Sequence, residues 1–296
     1  MAGNKVAYIF PGQGSQWVGM ARELYSSSSQ ARAVLDEADQ VLGFPLSKLC
    51  FEGPEDTLRQ TINAQPAILT VSIAYLRDTP QLQEAPSFVA GHSLGEYTAL
   101  IAAQVLDFAD ALYLARERGR LMQEAGEMES GGMAAVLGLD EDKVKEICEL
   151  SEVQIANINC PGQITISGSS KKLDQAIKLA QEKGARKVVP LQVSGAFHTP
   201  LMQPAADGLS QAVSGLTFRD PVVPIVANTS ARPITTAEEV KAELLNQLCH
   251  CVQWQRSIEY MIDAGVSNFI EIGPGQVLTG LVKRINKEVE TQNIGQ

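Results

Sequence analysis

Cysteine is scarce and odd in number. Cys50, Cys148, Cys160, Cys249 and Cys251 stand scattered along 296 residues, which provides no disulfide framework and argues for a reducing compartment. No apolar run approaches the length a bilayer span needs, so no membrane segment is expected. The opening Met1-Ala2-Gly3-Asn4-Lys5 lacks the charged-then-apolar order of a targeting signal, and a cytoplasmic location is the expectation. Positive charge is in deficit, 24 Lys and Arg against 34 Asp and Glu for a net −10, which speaks against general nucleic-acid binding. Cys249-His250-Cys251 briefly suggests metal, but no second ligand pair accompanies it, so packed or half-buried thiols and no metal site are expected. With 45% hydrophobic and 20% charged residues, the rest is ordinary for a globular chain large enough for one big domain or a main domain with an insert.

What is present centres on Gly91-His92-Ser93-Leu94-Gly95. The short apolar run Ser87-Phe88-Val89-Ala90 before it reads as a buried strand, and the Ala- and Leu-rich stretch from Leu94 to Val105 reads as a helix. A G-x-S-x-G between strand and helix is a nucleophile elbow: the turn is so tight that both flanking positions need glycine, and the serine hydroxyl is pushed out of the sheet. The Leu94 amide, first on the helix, would then point at an anion formed beside Ser93. The plainer reading is a Gly-rich turn with a surface serine.

The chain opens with a strand, Val6 to Phe10, and a glycine-rich loop, Pro11-Gly12-Gln13-Gly14-Ser15-Gln16. It is neither a P-loop, since no Gly-Lys-Ser/Thr follows, nor a dinucleotide fingerprint, since position 17 is Trp. Loops at the carboxyl ends of strands in one sheet gather at one edge, so Gln13 could face Ser93 and its amide could be a second oxyanion donor, or the loop could be a plain turn into a helix. Helices are expected over Trp17–Tyr25, Gln30–Leu42 and Gln65–Leu76, the last apolar enough to be packed inside. On the helix Phe108 to Ala125, Arg118 shares the inward face of Ala111, Leu114, Leu121, Met122 and Ala125, whereas Arg116 and Arg120 point elsewhere. An inward guanidinium stays charged and must find an anion, either a carboxylate of this chain or one on a substrate.

Between Met133 and Val189 the pattern runs βαββαβ, a ferredoxin-like unit of its own, and it divides the chain into a main body, 1–130 with 192–296, and an insert, 131–191. Directly after it stands Gly195-Ala196-Phe197-His198. Of the three histidines, His92 adjoins Ser93 in a turn where side chains diverge and His250 sits between two cysteines late in a helix. His198, at the seam of the two units where clefts form, is the candidate base. No acidic residue announces itself as the histidine's partner, and a backbone carbonyl could hold the tautomer instead.

Taken together, Gln13-Gly14-Ser15-Gln16, Gly91-His92-Ser93-Leu94-Gly95, Arg118-Gly119 with Met122-Gln123, Asn159-Cys160-Pro161-Gly162-Gln163, Gly195-Ala196-Phe197-His198 and Gly273-Pro274-Gly275 resemble the malonyl-CoA:acyl carrier protein transacylase family over nearly the whole chain. The resemblance implies an α/β fold: an α/β-hydrolase-like main domain carrying the ferredoxin-like insert. It implies transfer of a malonyl group from malonyl-CoA to the phosphopantetheine thiol of an acyl carrier protein through a malonyl-serine, for fatty acid or polyketide synthesis, by a monomer with no metal or redox cofactor. Ser93 and His198 correspond to the family's catalytic pair, with the main-chain carbonyl of Gln247 as the histidine's partner and the amides of Gln13 and Leu94 as oxyanion donors. Arg118 would clamp the malonyl carboxylate, with Met122 part of the same motif; Phe197 would fill the space of an α-methyl group; Asn159 and Gln163 would line the coenzyme A or pantetheine approach. Cys160 stands where serine is common in the family. The alternative is an acyl thioester hydrolase of the same fold, which has no need of Arg118; a non-catalytic docking module would not need Ser93, His198 and Arg118 intact.

Acyl carrier proteins are acidic, so an encounter with a chain of charge −10 calls for a local basic surface. Between Ser169 and Pro190, Lys171, Lys172, Lys178, Lys183, Arg186 and Lys187 face only Asp174 and Glu182, a balance of 6 minus 2, or +4. This stretch is the expected docking surface, unless it is simply a solvated helix face.

Overall fold

The structure, a computed structural model, describes residues 5–79, 82 and 85–295; the opening 1–4 read above for a targeting pattern lie outside it. The chain begins with β1 (Lys5–Phe10), buried beyond its first residue. The helix expected over Trp17–Tyr25 starts late: 18–21 are turns, and α1 covers only Arg22–Ser27. Gly19 at φ 110° and Ala21 at φ 60° are both left-handed, which a right-handed helix cannot include. Helix α2 (Ser29–Leu42) follows as expected, its start capped by the Ser28 hydroxyl. Two short helices escaped the periodicity, α3 (Leu46–Glu52) and α4 (Glu55–Arg59), each opening just after a proline and too short to show a face. Helix α5 (Thr61–Asp78) is buried almost continuously from Thr61 to Ala74, as an inside-packed helix should be.

Strand β2 (Phe88–Gly91) leads through Ser93 into α6 (Gly95–Ala102), and α7 (Phe108–Met128) packs along α5. Next come β3 (Gly131–Leu137), α8 (Glu141–Ser151), β4 (Gln154–Cys160), β5 (Gln163–Ser169), α9 (Ser170–Glu182) and β6 (Lys187–Pro190), the βαββαβ order of the sequence pattern. A 3-10 turn, Pro200–Met202, precedes α10 (Gln203–Ser214). The chain ends with β7 (Ile225–Val226), β8 (Pro233–Ile234), α11 (Ala237–Cys249), α12 (Trp254–Asp263), β9 (Val266–Ile272), α13 (Val277–Ile285) and β10 (Glu290–Ile294).

These strands form two sheets, so the class is α/β. The first has order β10-β9-β1-β2-β7-β8 and is parallel except for the β7–β8 edge pair. Because β1 and β2 are neighbours with Phe10 opposite Gly91, the loops that follow them emerge together at the carboxyl edge of the sheet. The 273–275 turn after β9 leaves the same edge. The second sheet, β4-β5-β3-β6, is antiparallel and has its own core, in which Ala134, Val136, Ile164 and Ile166 meet Ile147, Leu173 and Ala176 of α8 and α9. Its strand β4 pairs with Val252, in the segment between α11 and α12, through Ile158 N to Val252 O at 2.9 Å and Val252 N to Ala156 O at 2.8 Å. That seam brings β4 over the carboxyl edge of the parallel sheet.

The basic stretch of α9 is less positive in space than in sequence. Helix α8 packs beside α9, and Lys172 and Lys183 pair with Glu152 and Glu146, acids from a segment the sequence count left out.

Candidate active site

Ser93 occupies the turn between β2 and α6 with φ 51°, a left-handed conformation that a non-glycine residue holds only under constraint. The constraint comes from its neighbours. A Cβ on Gly91 would lie 1.8 Å from the carbonyl carbon of Gly95, and one on Gly95 would lie 2.1 Å from the Phe10 oxygen. No other residue fits either position, so the spacing of the motif is the tightness of the turn. Asn228, just past β7, holds the strained turn from behind: its Oδ1 accepts from the Ser93 amide at 2.7 Å and its Nδ2 donates to the Gly91 carbonyl at 2.7 Å.

His198, itself at φ 60°, places Nε2 2.9 Å from Ser93 Oγ and Nδ1 2.7 Å from the Gln247 carbonyl oxygen. A carbonyl can only accept, so Nδ1 carries the proton and Nε2 presents a lone pair to the serine hydroxyl. Where a triad would carry an acid, His198 meets a backbone oxygen, that of Gln247. Burial first, and the Arg118 charge second, push the His198 pKa down to about 3, which keeps the imidazole neutral with its Nε2 lone pair unprotonated.

Arg118 is 1% exposed and lies on the inner face of α7 with Ala111, Leu114, Met122 and Ala125. Gly119 beside it lets α7 approach α5, since a Cβ there would lie 2.7 Å from the Thr61 oxygen. The guanidinium finds no carboxylate at ion-pair distance among the described residues. Its Nη1 donates to Gln65 Oε1 at 2.8 Å, and its Nη2 to Gln247 Oε1 at 2.8 Å and to Ser93 Oγ at 3.1 Å. Its Nε has no partner among the described residues. A cation held by neutral amides beside a nucleophile has charge left over for an anion attached to that nucleophile.

A cavity opens over Ser93 and His198, lined also by Gln13, Asn159, Gln163 and Phe197. Gln13 arrives on the loop after β1, where Gly12 packs against the His92 oxygen, and its side chain donates to Thr61 Oγ1 at 3.2 Å. Among the described residues no acceptor takes a hydrogen bond from the amide of Gln13 or Leu94, so both remain donors. Asn159 reaches the cavity wall with its side chain engaged, Oδ1 on His92 Nε2 at 2.8 Å and Nδ2 on Thr165 at 3.4 Å. The Gln163 side chain accepts from Arg284. Phe197 is buried next to His198. Leu94, Arg118 and Met122 do not line the open cavity: Leu94 is buried under the turn, and the Met122 sulfur accepts from Gln65 Nε2 at 3.4 Å behind Arg118. His92 turns away from Ser93 toward Asn159 and the edge of Trp254, and His250 is on the surface.

The groups that sequence reading missed are Gln65, Glu96, Asn228 and the side chain of Gln247. Two had a signal, a long polar side chain on a largely apolar helix: Gln65 in α5 and Glu96 in α6 are 0% and 1% exposed. Asn228 follows a strand of two residues and had none.

A strained serine with a neutral histidine base and two free amides is the equipment of acyl transfer. The profile of the acyl transferase domain family matches residues 7–294. This chain belongs to the acyl transferase domain family. As a member it is 47% identical, over 97% of its length and 92% of the relative, to the malonyl CoA-acyl carrier protein transacylase of Bacillus subtilis. Its fold superposes on the crystal structure of the acyl-carrier-protein-S-malonyltransferase of Bartonella henselae with a TM-score of 0.95, at 44% identity and covering 99% and 96% of the two chains. It matches equally, with a TM-score of 0.95, 38% identity and 99% and 96% coverage, a malonyl-transacylase solved with its type II PKS acyl-carrier protein.

Proposed function

We propose that this acyltransferase moves a malonyl group from malonyl-CoA to the phosphopantetheine thiol of an acyl carrier protein by way of a malonyl-serine. His198 Nε2 takes the Ser93 proton as Oγ attacks the thioester carbon, and the amides of Gln13 and Leu94 hold the oxyanion. The C–S bond then breaks, the coenzyme A sulfur receives the proton from His198, and the ester remains on Ser93. The carrier thiol repeats the sequence in reverse, giving its proton to His198 and displacing Ser93. Serine and histidine supply both half-reactions, so no cofactor takes part.

The observation that carries this reading is the Arg118 guanidinium, 3.1 Å from Ser93 Oγ and with no carboxylate at ion-pair distance among the described residues. It matches the second carboxylate of a malonyl ester, which two parallel N–H bonds would hold, and it has no use in hydrolysing a neutral acyl thioester. Phe197 beside His198 occupies the room a methyl-branched malonyl group would need, a discrimination worth about 1–3 kcal/mol. Asn159 and Gln163 place polar groups along the wall a pantetheine arm would follow. The names of the relatives support the same substrate and partner.

In architecture, we read 1–130 with 192–296 as an α/β-hydrolase-like main domain and 131–191 as a ferredoxin-like insert, supported by the separate antiparallel sheet and its separate core. Action as a monomer belongs to the same reading, and five free cysteines support a cytoplasmic location. The test is partition: with malonyl-CoA and a carrier protein, malonyl should appear on the carrier thiol, and free malonate as the main product would establish the hydrolase instead.

A further inference from the structure

Glu96 is an acid in the first turn of α6, 1% exposed, and no cation lies at ion-pair distance among the described residues. Its oxygens face different partners. Oε1 accepts from the Asn228 amide at 2.9 Å and from Asn228 Nδ2 at 3.2 Å, and Oε2 accepts from Gln247 Nε2. A carboxamide has a donor end and an acceptor end, so a group that accepts on both oxygens decides which end of each neighbour turns toward it. The Asn228 donor end faces Glu96, which leaves Oδ1 for the Ser93 amide. The Gln247 donor end faces Glu96 and the Ser93 carbonyl, at 3.0 Å from the latter, which leaves Oε1 for Arg118 Nη2.

We propose that Glu96 is a positioning residue for the acyl-transfer reaction, fixing the orientation of the Asn228 and Gln247 side-chain amides and through them the Ser93 turn and the aim of Arg118. The proposal rests on the reading of Ser93 and Arg118 given above. A flipped Gln247 would set Nε2 against Arg118 Nη2, donor against donor, and would release the guanidinium on that side. A flipped Asn228 would do the same to the Ser93 amide. Burial first and the nearby Glu243 second push the Glu96 pKa well up, while Asn228, Gln247 and Arg118 oppose that shift. Either protonation state preserves the pattern, because Oε2 has a lone pair to spare for a proton while still accepting from Gln247.

The isostere Glu96→Gln separates this role from mere packing. Its amide nitrogen must replace one oxygen, and facing Gln247 loses one hydrogen bond where facing Asn228 would lose two. Gln247 should therefore flip, and the damage should fall on Arg118. The readout is the rate of acyl-serine formation from malonyl-CoA and from acetyl-CoA, in protein whose thermal unfolding shows it folded. The wild type must first form malonyl-serine; if it does not, the acyl-transfer reading fails, and the failure is visible without any variant. Given that adduct, Glu96→Gln should lower the malonyl-to-acetyl ratio of kcat/KM by roughly tenfold or more, the loss of one charge-assisted hydrogen bond. Gln247→Met keeps the main-chain carbonyl on His198 but removes the relay from its other end, and it should shift the ratio in the same direction. Should Glu96→Gln fail to fold, Gln247→Met decides alone. An unchanged ratio in the folded variant, whether both rates fall together or neither falls, would overturn the proposal.

Discussion

Replacing Arg118 with alanine should separate two substrates that differ by one charge. In the folded protein, Arg118 donates to Gln65, Gln247 and Ser93, the last with its Nη2 3.1 Å from the nucleophile oxygen. A malonyl group on Ser93 would bring its free carboxylate into a site that no longer holds a counter-ion. Removing one partner from a buried charge pair costs about 2–5 kcal/mol, much of it the penalty on the charge left behind. At 1.36 kcal/mol per factor of ten, malonyl-serine formation should slow by roughly 30-fold to several thousand-fold. Acetyl-CoA carries no such charge and should be affected far less, or even be used better. Arg118→Lys should fall between, since an ammonium offers a point charge in place of the planar fork. Variant stability needs a separate check, because Gln65 and Gln247 are both 0% exposed and each would lose a donor. The assay is the single-turnover rate of acyl-enzyme formation with each thioester, alongside thermal unfolding. An equal loss on malonyl and acetyl in folded protein would refute the clamp and make Arg118 a structural cation.

The pH profile tests the base. With His198 at about 3, kcat/KM for malonyl-serine formation should show no inflection near 6.5, the ordinary histidine value, and such an inflection would mean the site is wetter than its geometry. The same depressed pKa makes the unfolded chain bind a proton that the folded chain refuses, so this group's contribution to stability is lost progressively as pH falls from 6.5 toward 3; a urea series across that window measures it. Reversing Lys171, Lys172 and Lys178 to Glu should raise the KM for the carrier several-fold at low salt and less as salt rises, with malonyl-serine formation from malonyl-CoA changed less. Because Lys172 is already paired with Glu152, the effect should come mainly from the other two, and an unchanged KM at low salt would place docking elsewhere.

Most of the site was legible because its chemistry is local. The Ser93 turn is written in the glycines that flank it, and the inward Arg118 shows in the helical spacing of α7. The strand pairing that brings Gln13 to Ser93 follows from two βα loops in one sheet. The histidine's partner was not legible as a residue type, since a main-chain oxygen of Gln247 leaves no side-chain signature. Asn228 and Glu96 meet only through the fold, one after a two-residue strand and one in a short apolar helix, so neither periodicity nor spacing links them. The same limit explains the basic stretch on α9: its acidic partners Glu146 and Glu152 are distant in sequence and adjacent in space. Helix α1 started late because a left-handed Ala21 has no signature in composition.

The most direct test of the account is the mass of the protein after mixing with malonyl-CoA. A single malonyl addition should appear, map to the peptide containing Ser93, be absent from Ser93→Ala, and disappear as malonyl-carrier forms when an acyl carrier protein is added. Ser93→Ala should keep the fold, since the change removes a hydroxyl at a turn and no packed group. A malonyl adduct that persists in Ser93→Ala, or a wild-type adduct that is released as free malonate and never reaches the carrier, would contradict it.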